Sequence, residues 1–74
     1  MDLYDYFLLR RKKDHSFREV QFARQIKISR NYLSLIKNGL LVPSIKLAKK
    51  IEEASFGEVN AFELIEKNYD IKNS

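Results

Sequence analysis

No cysteine occurs in the chain, so a disulfide framework and a thiolate metal site are both closed to it. His15 is the one histidine, which excludes a multi-histidine centre. Long apolar runs are missing too. Tyrosine aside, the longest are three residues, Phe7 to Leu9 and Leu40 to Val42, against the roughly 20 that a bilayer-spanning helix needs. Asp2 and Asp5 stand where a secretory leader carries basic residues, which predicts no cleaved leader and a cytoplasmic location. No Ser/His/Asp set or paired carboxylates stand out, and so short a chain has little room for a substrate pocket. The expectation is a non-enzyme with no cofactor, no metal and no membrane partner.

What remains is 74 residues, 45% hydrophobic and 32% charged, the composition of one small folded domain with an economical core. Its charge is unevenly placed. Residues 16–50 carry eight basic side chains against Glu19 alone, while residues 51–74 carry six acidic and two basic. A basic centre with an acidic end suits a nucleic-acid-binding domain whose other end meets something else.

Every segment between breakers repeats at the helical period, so an all-α fold of five short helices is expected. The first spans about Leu3 to Lys13, with Leu3, Tyr4, Phe7 and Leu8 as its inner stripe and Arg10 to Lys13 as a solvated basic end. Ser16-Phe17-Arg18-Glu19 has capping-box form. Helix two should therefore start at Phe17, turning Val20, Phe22, Ala23 and Ile26 inward. Ser29 caps helix three, Arg30 to Asn38, with Leu33 and Ile36 inside and Gly39 as its stop. Ser44 caps helix four, Ile45 to Ala54. Asn60 opens helix five with Leu64 and Ile65 inward, and residues 69–74 read as a polar tail. The aromatics Tyr4, Phe7, Phe17, Phe22, Phe56 and Phe62 are mostly assigned to the core.

Helices two and three are separated by Lys27, Ile28 and the capping Ser29. A three-residue connection has the length of a helix-turn-helix turn. Ala23 is the expected point of close approach between the two helices.

The run Phe22-Ala23 … Ile26-Lys27-Ile28-Ser29-Arg30-Asn31-Tyr32-Leu33-Ser34-Leu35-Ile36-Lys37-Asn38-Gly39 … Pro43-Ser44 … Leu47-Ala48 … Ile51 resembles the Cro/repressor (XRE-like, lambda-repressor-like) helix-turn-helix family. The resemblance covers about residues 16–66, without a gap from Ala23 to Pro43. It implies a compact five-helix domain whose third helix enters the major groove of double-stranded DNA. The family's base-reading positions fall on Arg30, Asn31 and Leu35, with Tyr32 and Ser34 beside them. Side-chain chemistry agrees for two of these, since Arg pairs bidentately with guanine and Asn with adenine. Leu35 offers only apolar contact and equally suits a protein interface; Tyr32 divides evenly between packing and backbone contact. The family's phosphate positions fall on Arg18, Lys37 and Asn38, with Lys27, Ser29 and Lys46 as further candidates and the amides at the Phe17 end of helix two as an anion site.

Three residues depart from the family pattern. Glu19 replaces a glutamine that bridges phosphate and the recognition helix, and Lys37 replaces a common glutamate. Lys27 replaces the turn glycine, at about 1 kcal/mol if its backbone is left-handed. The loop Leu40-Leu41-Val42 is apolar where the family is basic. The expected function is a sequence-specific transcription regulator, a repressor acting as a homodimer on an inverted repeat. The dimer forms through the C-terminal third, where Phe62 and Tyr69 lie, or through Leu40, Leu41 and Val42. The alternative is an interaction module or antitoxin-like adaptor with a regulatory protein partner on that loop and the acidic end.

Overall fold

The computed structural model describes residues 1–73, Lys72 through its backbone alone. Five helices follow one another: α1 Leu3–Lys13, α2 Glu19–Gln25, α3 Arg30–Lys37, α4 Ile45–Ala54 and α5 Ala61–Lys72. No strand occurs among the described residues. None of these helices is long and apolar enough to cross a membrane.

Short-range hydrogen bonds start four of the helices. The side chains of Asp2, Ser29, Ser44 and Asn60 each accept from the amide three residues on, at 2.8, 3.0, 3.2 and 3.0 Å, which satisfies a donor the helix itself leaves open. Three helices stop in one way. After α2, the amides of Lys27 and Ile28 return to the carbonyls of Arg24 and Ala23; after α3, those of Gly39 and Leu40 return to Ile36 and Leu35. After α4, Phe56 and Gly57 return to Glu53 and Glu52. Each is a Schellman cap, which needs a left-handed residue just past the helix. Gly39 supplies one freely at φ +76°, but Lys27 at +62° and Phe56 at +55° are strained, at about 1–2 kcal/mol each.

The capping box at Ser16 does not form. The Ser16 amide and hydroxyl both donate to Asp14 Oδ1, at 2.9 and 2.6 Å, and these bonds hold the Asp14 carboxyl below the usual carboxylate range. Phe17 donates its amide to the Asp14 carbonyl. Helix α2 therefore starts at Glu19, with Arg18 as a cap residue making no side-chain cap bond. The expected anion site at Phe17 goes with it.

The buried face of α1 is Leu3, Tyr6 and Phe7, while Tyr4 and Leu8 stand half-exposed. Both stripes fit the helical period, sharing Leu3 and Phe7, and aromatic packing selects between them. The Phe7 ring meets Phe22 edge-on at 5.1 Å and lies 5.7 Å from Phe17, and Tyr6 lies 6.2 Å from Phe22. Arg10, on the same face, donates to the Tyr6 hydroxyl at 2.8 Å and sits 4.7 Å over the Phe17 ring. It is a half-buried lid on the aromatic cluster rather than a solvated end.

Ala23, Leu33 and Ile36 are all but fully buried where α2 packs on α3, and Ala48, Ile51, Val59 and Leu64 close the core where α4 packs on α5. Phe56 and Phe62 are not core residues: they are 87% and 65% exposed. Helix α5 also outruns its expected end. Residues 69–72 are helical and Asn73 caps them; Ser74, the rest of the expected tail, lies outside the described residues. The extension follows from Asn68, which is buried and donates to the carbonyls of Ile36 and Leu41, both at 3.0 Å. Those bonds hold the C-terminal half of α5 against the end of α3 and the loop after it.

Candidate nucleic-acid interface

Helix α3 carries the residues that the family resemblance leads one to expect at base-reading positions, and its burial pattern orients them. Leu33 and Ile36 are fully buried. At about 100° per residue, the opposite side is centred on Asn31 and Asn38, flanked by Ser34 and Leu35, with Arg30 and Tyr32 at its two edges. All of these are exposed except Ser34, which is half-buried. The Ser29 cap holds the first turn, so Arg30 and Asn31 project from a fixed helix start. Asn38 is the C-cap residue, and its Nδ2 lies 3.4 Å from Ser34 Oγ.

A cationic groove borders this face. It is an open hollow of about 370 Å³ between the α2–α3 turn and the start of α4, lined by Lys27, Ser29, Tyr32, Ser44, Lys46 and Lys50 among others. Four of the expected residues (Lys27, Ser29, Tyr32 and Lys46) thus meet in one place. Lys50 was not expected there. It lies one turn beyond Lys46 on α4, a spacing readable in the sequence. Arg18 does not line the groove; it is exposed, and its guanidinium donates to the carbonyls of His15 and Phe17 at 3.2 and 3.3 Å.

Lys37 is the expected phosphate residue that the structure takes elsewhere. Its Nζ lies 3.1 and 3.3 Å from the two carboxylate oxygens of Glu19, and Arg11 Nη2 reaches the same carboxylate at 2.6 Å. Glu19 is therefore the hub of a bridge joining α1, α2 and α3, not part of a capping box.

The two expected dimer surfaces are neighbours. Leu40 is 64% exposed, whereas Leu41 and Val42 are half-buried, with Leu41 packed on the core. On α5, Phe62 and Tyr69 are exposed with half-buried Ile65 between them. The Asn68 bond to Leu41 sets the loop beside that helix. No family model, no curated protein and no solved structure matches this chain.

Proposed function

We propose that this protein is a sequence-specific binder of double-stranded DNA of the Cro/repressor kind. In this reading α2, the turn through Lys27 and α3 form a helix-turn-helix, and α3 lies in the major groove. The observation that carries it is the outward face of α3. Arg30 and Asn31, the two side chains best suited to bidentate base contacts, are exposed on its first turn over a fully buried Leu33 and Ile36. The lysine-lined groove beside them supplies phosphate contacts without sequence preference. Occupancy of an operator excludes other proteins, so repression needs neither a cofactor nor a catalytic residue.

Selection of bound duplexes from a random pool tests the reading directly. A recurring half-site is expected, and no enrichment would overturn it. On the selected duplex, Arg30→Ala is expected to cost about 1–3 kcal/mol of binding while affinity for random duplex changes little. Equal losses on both would reduce Arg30 to a phosphate contact.

Two copies acting on an inverted repeat fit the exposed apolar side chains at Phe62, Tyr69 and Leu40. Sedimentation of the wild type should then give a dimer that Tyr69→Glu or Leu40→Glu converts to monomer. Leu40 is the cleaner loop probe, because Leu41 also packs on the core. A dimer untouched by both substitutions would place the seam elsewhere.

A further inference from the structure

The bridge centred on Glu19 has a consequence for DNA binding, and the inference rests on the DNA reading above. Lys37 follows Arg30 by seven residues, which brings it within about 20° of Arg30 around the helix. A free ammonium there would extend the charged edge of α3 along a bound phosphate backbone. Its side chain is instead only 20% exposed, and both Glu19 oxygens hold it. The Tyr4 ring lies 5.9 Å from the same ammonium. The Glu19 side chain, 7% exposed, also holds Arg11. Buried charge is tolerated only when paired, so moving Lys37 to a phosphate would strip this carboxylate of one of its two partners.

We infer that Glu19 limits the sequence-independent part of DNA binding by withholding Lys37 from phosphate. The family resemblance puts Lys37 at a phosphate position, but the structure pairs it with Glu19, a carboxylate that would itself repel phosphate. Affinity that comes from phosphates is blind to sequence and falls steeply with salt. A cation tied down inside the protein contributes to neither.

The test is the salt dependence of binding to random duplex, read for wild type, Glu19→Gln, Lys37→Met and the double variant. Glutamine keeps the shape of Glu19 and removes its charge. Glu19→Gln should bind several-fold tighter at low salt, with the slope of log K against log salt steeper by about 0.9, the value of one added phosphate contact. Lys37→Met alone should leave the wild-type slope unchanged, and the double variant should return to it. A Lys37→Met slope shallower by about 0.9 would show that Lys37 already touches phosphate, and the inference would fall. It would also fall if the double variant stayed steep, because Arg11 would then be the freed cation. Circular dichroism checks that each variant is folded; should Glu19→Gln not fold, the Lys37→Met slope still decides. Wild-type protein binding no duplex at any salt would overturn the DNA reading and this inference together, whereas wild-type binding with the wrong slopes overturns the inference alone.

Discussion

Phe7→Ala is expected to cost about 3–5 kcal/mol, the range for emptying a buried phenylalanine site. Phe7 is 2% exposed and packs against the rings of Tyr6, Phe17 and Phe22. It therefore joins α1 to α2 and to the segment between them. A domain of this size is stable by roughly 4–11 kcal/mol in all, so one substitution removes a large share. Since about 1 kcal/mol shifts the midpoint of so small a domain by roughly 4–8 °C, thermal unfolding should show a fall of well over 10 °C. Leu8→Ala on the same helix is the control. Leu8 is 44% exposed, and its loss should cost less than about 1 kcal/mol. Equal losses at the two positions would mean that α1 buries its other stripe.

Asn68→Leu is expected to cost about 1–3 kcal/mol even though it places an apolar side chain in a buried position. The Asn68 amide donates to two carbonyls, those of Ile36 and Leu41. The Ile36 carbonyl still accepts from the Gly39 amide, so the main loss falls on the Leu41 carbonyl. A buried acceptor left without a partner costs about 1–3 kcal/mol. Denaturant unfolding measures the total. Amide exchange adds a local reading: protection should drop first at Gly39 and Leu40, whose amides close the α3 cap. A neutral or stabilising Asn68→Leu would show that the residue acts as filler and that the Leu41 carbonyl finds another donor.

Both experiments probe contacts between residues distant in the chain, and there the sequence reading failed most often. Leu3 and Phe7 belong to either of two stripes on α1; only the tilted contact of Tyr6 with Phe22, with Arg10 closing over the ring cluster, selects one. Glu19 three residues after Ser16 has capping-box spacing. Arg11 and Lys37, from α1 and α3, attract the carboxylate away, and Asp14 takes Ser16. Residues 69–74 look like a polar tail until Asn68 ties α5 to the end of α3 and the loop after it. Phe56 looks like core because aromatics usually are, yet it occupies the left-handed position after α4, immediately before Gly57.

Features decided over three or four residues were legible. Ser29, Ser44 and Asn60 cap the helices they were expected to cap, because an N-cap needs only its own side chain and an amide one turn on. Gly39 ends α3, and Leu33 and Ile36 are buried, because the i, i+3 period leaves α3 one apolar side. The sequence by itself thus determined the helical class, most helix boundaries and the placing of Arg30 and Asn31 on the outward first turn of α3. The tertiary structure alone decided which side of α1 is buried, where α5 ends and which cations near α3 remain free. Helix propensity and capping act within one turn of the chain. The choice of face, and the pairing of a buried charge, depend on surfaces that come together only when the chain folds.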